Sequence, residues 1–274
     1  MKIGLVLGGG GARGFAHVGV LRALAEYDIE PVAVAGCSMG GIVGALLAAG
    51  YDASGMHDAF ASIKAHKVFD RSRMGALVGG KGIAHLLDEF LPATFADLKL
   101  PLAVTAVDVQ EGEMIVYRQG ELRPALRATS AIPGVIEPVE HEDRILVDGG
   151  LLNNVPVDVI RTMTHLPVLA VDVAAPPDRK LVFEDNFLKR IRETYKKGQR
   201  PLIIELFMKA YDIPTHVLTK VRLSLNPPAL LIRPPLDPNL KVEDFKRLEE
   251  AIEAGYREAR AVLSEQVQLL EEHR

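Results

Sequence analysis

The sequence predicts an α/β protein: a mostly parallel central sheet with helices on both faces, followed by a mainly helical C-terminal extension. Three observations carry this. Short apolar runs alternate with segments of helical periodicity along most of the 274 residues. Two of those runs, 2–7 and 31–35, stop at glycine-rich turns that open directly into helices. A third run, 101–109, is apolar almost throughout, as a strand covered on both faces requires. Alternating strand and helix implies right-handed crossovers, hence parallel neighbours.

In order along the chain, residues 2–7 read as the first strand, followed by a glycine loop at 8–14. A helix follows over about 15–27, with Val18, Leu21, Leu24 and Ala25 at helical spacing. The run 31–35 is the second strand. Its helix, Gly40-Gly-Ile-Val-Gly-Ala-Leu-Leu-Ala-Ala49, ends near Gly50, a natural C-terminal cap. Another helix is expected around 53–65. Residues 66–82 mix glycine, charge and isolated large apolars, and read either as a mobile lid near the site or as a surface loop. A short helix follows over 82–91. After the strand at 101–109, Glu111-Gly112 makes a hairpin turn into Met114–Tyr117. A helix around 121–130 precedes a second hairpin over about 135–147, with its turn near Glu142-Asp143. Pro167–Val173 is another buried strand. Pro176-Pro177 then marks a change of character, dividing a domain at 1–175 from an extension at 176–274 packed on the same core. Within the extension, 183–197 is basic and amphipathic, 202–218 is helical, and Ala229–Ile232 looks like an edge strand. Residues 242–272 form a long amphipathic helix with Phe245, Leu248, Ile252, Tyr256 and Val262 on one face. The helical layer is expected to pack on the sheet; the alternative is that 201–211, or the long helix, meets lipid or a second subunit.

Composition limits function. A net charge of −4 argues against nucleic acid as a partner. The one cysteine, Cys37, excludes an internal disulfide and a cysteine metal cluster, and fits a reducing compartment. The apolar start is too short for a signal peptide and runs into glycines rather than a cleavage site. With no stretch approaching ~18 apolar residues, a soluble cytoplasmic protein is expected. Peripheral contact with the inner membrane, and homo-oligomerisation, stay open. No metal or cofactor is expected.

The chemistry concentrates at three motifs. Gly36-Cys-Ser-Met-Gly40, between a strand and a small-residue helix, spells a nucleophile elbow with Ser38 at its apex. The helix start would place free N–H groups and about half a positive charge beside that serine. Cys37 precedes the apex and reads as a packed thiol. The second motif is Gly8-Gly-Gly-Gly-Ala-Arg-Gly14. Gly9, Gly11 and Gly14 match a dinucleotide fingerprint, but that reading needs an acid at the end of the second strand. Asp28 and Glu30 lie at the other end. The alternative is an oxyanion hole of glycine amides sharing a crevice with Ser38. Arg13 would then hold the loop or attract an anionic head group. The third motif, Asp148-Gly149-Gly150, supplies a carboxylate at a strand end: a base, an orienter, a metal ligand or a turn former. A histidine partner is poorly supplied. His165 falls at the amino end of a strand, His216 lies in a helical stretch, His273 is next to the C-terminus, and His17 sits in a first helical turn. A serine–aspartate dyad without histidine is favoured.

Gly9-Gly-Gly-Ala-Arg-Gly14, Gly36-Cys-Ser-Met-Gly40 and Asp148-Gly-Gly150, in that order, resemble the motifs of the patatin-like phospholipase family. Ala128-Thr-Ser-Ala-Ile-Pro133 and Leu151-Leu-Asn-Asn-Val-Pro156 resemble its surroundings too. The resemblance covers about 3–175 and implies a three-layer sandwich and hydrolysis of (lyso)phospholipid or other lipid esters. By position it makes Ser38 the nucleophile, Asp148 the proton acceptor, and Gly9, Gly10 and Gly11 the oxyanion hole. Arg13, Gly14, Gly36, Gly40, Gly149 and Gly150 are supporting positions. The third motif ends in glycine where many members have alanine. The rival expectation is a non-catalytic lipid-binding or regulatory module on the same fold.

Overall fold

The computed structural model describes residues 1–62, 81–174, 202–240 and 244–272. Eight strands form one sheet: β1 (Lys2–Leu7), β2 (Glu30–Cys37), β3 (Leu102–Asp108), β4 (Glu113–Tyr117), β5 (Val139–His141), β6 (Arg144–Asp148), β7 (Val168–Val171) and β8 (Leu230–Ile232). The order is β5-β6-β3-β2-β1-β7-β8, with β4 also paired to β3. β1, β2, β3, β7 and β8 run parallel, while β4, β5 and β6 enter antiparallel through the two hairpins. The mostly parallel sheet expected from the strand–helix alternation is therefore present, and the extension contributes its edge strand, β8.

The helices are α1 (Ala16–Glu26), α2 (Met39–Ala49), α3 (Ala53–Ser62), α4 (Lys81–Phe90), α5 (Leu122–Thr129), α6 (Gly150–Asn153), α7 (Val157–Ile160), α8 (Leu202–Leu225), α9 (Leu248–Gln266) and α10 (Gln268–Glu272). The long C-terminal helix of the sequence reading is broken at Val267, and its start is a 3-10 turn at Phe245–Arg247. The expected helix at 183–197, residues 66–80 of the lid or surface loop, and the tail of the helix at 53–65 lie outside the described residues.

Strand alternation divides the core by size. Ile3, Leu5, Leu7, Val34, Leu102, Val104, Leu169 and Val171 face a large cluster with α1, α2 and α9. Their neighbours in sequence, Val6, Ala33, Ala35, Ala103, Val168 and Ala170, face the other layer, with Val157 and Ile160 of α7 and Leu223 of α8. The period-2 pattern puts bulk on one face and mostly alanine and valine on the other, where short helices press close. On the bulky side, α1 and α9 touch backbone to backbone. A methyl group on Gly19 would lie 1.9 Å from the Ile252 carbonyl oxygen, and one on Gly255 would lie 2.0 Å from that of Ala16.

The register sets the site. β4 pairs with β3 from Val104 to Asp108, so β2 and β6 share β3's other edge. β2 pairs parallel as far as Cys37↔Thr105, and β6 pairs antiparallel from Ala106↔Asp148. The two strands thus run toward each other along one edge and meet tip to tip. Ser38 leaves one tip and Asp148 ends the other.

Candidate active site

Ser38 occupies the apex that the elbow motif predicts. Its φ of 53° and ψ of −127° lie in territory that a residue with a side chain rarely adopts. The surroundings hold it there. Its N–H donates to Thr129 Oγ1 at 2.8 Å, and its carbonyl accepts the first two bonds of α2, from Gly41 (2.9 Å) and Ile42 (3.2 Å). The turn closes only because its flanks are bare. A Cβ on Gly36 would meet the Gly40 carbonyl at 2.5 Å, and one on Gly40 would meet the Leu7 carbonyl at 2.1 Å.

Asp148 is buried, at 2% exposure, and its carboxylate gathers donors. Oδ1 accepts the Gly150 N–H at 2.8 Å and faces Cys37 Sγ at 3.6 Å. The Ser38 and Tyr211 hydroxyls lie beside the same carboxylate and favour its ionised form. Burial pushes its pKa up to about 6, against the downward pull of Ser38, Gly150, Cys37 and Tyr211. Gly149 allows the turn after Asp148 to press on β3, since a Cβ there would lie 2.3 Å from the Thr105 carbonyl. Gly150 leaves room for the Tyr211 hydroxyl, 2.8 Å from where its Cβ would be. Cys37 is fully buried, and burial together with the Asp148 charge raises its thiol well above the usual range, so it is not a thiolate.

The glycine loop lies against Ser38: a Cβ on Gly9 would be 3.0 Å from Ser38 Cβ. The three glycines differ, however. The Gly9 N–H is taken by the Asn154 carbonyl at 3.3 Å, and the Gly9 carbonyl accepts Asn154 Nδ2 at 3.2 Å. Among the described residues, the Gly10 and Gly11 amides meet no backbone carbonyl. Gly11 needs its residue type, with φ at 57°. Gly14 packs on Met39, whose Cγ would be 2.5 Å from an added Cβ.

Arg13 had two candidate roles, and it holds the loop. It is 3% exposed, and its guanidinium donates to the carbonyls of Val173 (2.8 Å), Asp237 (3.2 Å) and Leu240 (3.4 Å). His17 braces the loop from below, with Nε2 2.8 Å from the Gly8 carbonyl, and burial lowers its pKa to about 4. Among the described residues no histidine hydrogen-bonds Ser38 or Asp148.

Three partners of the site were not singled out from sequence. Thr129 and Asn154 lie within the two flanking motifs, so their neighbourhood was legible though their bonds were not. Tyr211 had no signal: it sits on α8, 63 residues beyond Asp148, and only packing of α8 on α6 brings it in.

The model of the family described as patatin-like phospholipase matches residues 5–161. An uncharacterised NTE family protein of Mycobacterium bovis is 33% identical over 98% of this chain and 48% of its own length. A patatin-like phospholipase domain-containing protein of Caenorhabditis elegans is 31% identical over 96% of this chain and 20% of its own. The chain thus spans about half, or less, of the length of these relatives. Among solved structures, VipD from Legionella pneumophila superposes with a TM-score of 0.51 at 16% identity, covering 99% of this chain and 67% of that one, a likeness of fold.

Proposed function

Given that the chain belongs to the patatin-like phospholipase family, a family of lipid hydrolases, we propose that it cleaves carboxylic esters of phospholipids, lysophospholipids or related lipids through Ser38 and Asp148. The observation that supports this reading is the meeting of two strand tips, with Ser38 leaving one and Asp148 ending the other.

Asp148 takes the proton from Ser38 as Oγ attacks the ester carbonyl. The carbonyl oxygen becomes an oxyanion and accepts from the Gly10 and Gly11 amides, each well-aimed donor contributing roughly 3–4 kcal/mol. Gly9 acts differently from the sequence expectation, holding the loop through Asn154. Collapse of the intermediate expels the alcohol, which leaves with the proton from Asp148. Water then attacks the acyl-enzyme, Asp148 accepts its proton, and the acid departs as that proton returns to Ser38. A free aspartate, with a pKa of about 3.9, is a weak base for this task. At about 6, Asp148 is a stronger base and still ionised at neutral pH. In this reading Ser38 needs no histidine, because Asp148, at the facing strand tip, takes the proton itself.

The test is a hydrolysis panel of p-nitrophenyl esters of rising chain length, phospholipids and lysophospholipids, with wild type, Ser38→Ala and Asp148→Asn. Each variant should stay folded and lose about 10³-fold or more of the rate. Near-normal turnover in either one removes the dyad.

A further inference from the structure

Helix α8 turns polar side chains inward beside one buried leucine, Leu223. Its buried positions include Thr215 and Thr219, whose hydroxyls donate back into the helix, to the carbonyls of Tyr211 (2.9 Å) and Thr215 (2.8 Å). Its outer side is apolar. Seven large apolar side chains are exposed among the described residues, and six are on this helix: Leu206, Phe207, Ile213, Val217, Val221 and Leu225. The other exposed positions from 206 to 225 are Ala210, Pro214, Lys220 and Ser224, so the face carries one cation and no acid. A helix facing water shows the reverse order, with charge outside and the apolar stripe inside. Isolated exposed apolar residues need no explanation, but a continuous face of them does.

We propose that this face of α8 lies on a lipid surface with anionic head groups, its apolar side chains at the acyl boundary and Lys220 at the head groups. Three arguments choose this occupant. The helix runs roughly 30 Å from Leu206 to Leu225 and is about 10 Å wide. It therefore offers on the order of 300 Å² to a second copy, well short of the ~800 Å² per partner of a stable dimer. A lipid surface has no such threshold, and an apolar helix face whose one exposed charge from 206 to 225 is a cation suits it. Among the described residues no helix is long and apolar enough to cross a membrane, so the contact is interfacial. Finally, α8 is pinned to the candidate site from behind: the Tyr211 hydroxyl lies beside the Asp148 carboxylate, and Arg222 donates to the Leu152 carbonyl at 2.7 Å and to Asp158 at 3.0 Å. Phe207, at the exposed end, packs 3.4 Å from where a Cβ on Gly134 would be. The proposed docking face and the side chains that reach the candidate site thus belong to one helix.

The choice of lipid as occupant rests on the lipid-ester reading, so the test measures binding apart from turnover. The full chain is sedimented with vesicles of phosphatidylcholine and phosphatidylglycerol at a 3:1 ratio, as wild type and as the Val217→Asp/Val221→Asp double variant. Wild type should partition onto the vesicles, and the double variant should lose at least tenfold of the partition coefficient. Its thermal midpoint and p-nitrophenyl butyrate turnover should be unchanged. Equal partition of the two proteins, or no partition of wild type, overturns the proposal. A wild-type dimer dissociated by the substitutions also overturns it and gives the face to a second copy. Ser38→Ala should bind vesicles as wild type does, so a failed dyad and a failed docking face give different results.

Discussion

The two long C-terminal helices, α8 and α9, share an origin in amphipathic sequence and have opposite fates. α9 buries Leu248, Ala251, Ile252, Ala259 and Leu263 against the core and lies on α1 through Gly19 and Gly255. Its other side carries Glu249, Glu250, Glu253 and Arg257, which belong in water. α8 turns Thr215, Thr219 and Tyr211 inward with Leu223, and leaves six large apolar residues outside. Helical periodicity reports that a helix has two faces. What lies beyond each face is told by the chemistry of the side opposite the core, charged on α9 and apolar on α8.

The largest expected difference is in folding. Gly255→Ala places a methyl group 2.0 Å from a backbone oxygen of α1. Helix propensity returns about 1 kcal/mol, but separating two packed helices should cost roughly 3 kcal/mol net. The thermal midpoint should fall by about 6–12 °C. A midpoint within 2 °C of wild type breaks the claim that α9 is locked on α1.

Next is the charge that the inner face of α8 touches. The Asp148 pKa is raised in the folded state from 3.8 to about 6. The stability linked to it is present below pH 3.8 and lost as pH rises through about 6. That loss is about 3 kcal/mol at 1.36 kcal/mol per pH unit. His17 acts in the opposite sense, with its pKa lowered from 6.5 to about 4. Its stability is present above pH 6.5 and lost as pH falls through about 4. In wild type the two nearly cancel between pH 4 and 6.5. Asp148→Asn removes one, so that variant should be more stable than wild type at pH 7.5, and the gap should shrink toward pH 4. Melting curves across that window check it; a constant gap contradicts it.

A smaller effect is expected at Tyr211. Its hydroxyl stabilises the ionised form of Asp148, so Tyr211→Phe should raise the Asp148 pKa by about one unit. The proposed mechanism requires that ionised form, so the acid limb of the rate profile should move up from pH about 6 by that amount. The variant would then be impaired at pH 6 and near wild type at pH 8. A uniform loss across pH would mean that Tyr211 merely packs. The smallest effect is on the outer face of α8: Val221→Ser should change stability by under about 0.5 kcal/mol. A larger loss would show that something covers the face in the folded chain.

Much of the site was legible because its demands are local. A strand ending at Gly36-Cys-Ser-Met-Gly40 can only turn sharply, and Asp148-Gly149-Gly150 needs bare residues beside β3. Those constraints fall within a few residues and leave a pattern. What escaped was set by distant contacts. β2 runs on to Cys37, beyond the apolar run that marked it, because pairing with β3 continues to Thr105. α6 and α7 are four residues each, too short to show a helical period. The Gly9 amide could not be separated from Gly10 and Gly11 by sequence, since its acceptor is a carbonyl 145 residues away. Tyr211 is the extreme case: a tyrosine in an apolar helix, given meaning only by the carboxylate it reaches.

The central claim, that Ser38 is a nucleophile activated by Asp148, is tested most directly by a fluorophosphonate probe followed by peptide mass spectrometry. Wild type should carry the adduct on Ser38, Ser38→Ala should carry none, and Asp148→Asn should label at least a hundredfold more slowly at pH 7.5 while remaining folded. Absence of label on the folded wild-type chain, or equal labelling rates in wild type and Asp148→Asn, would contradict it.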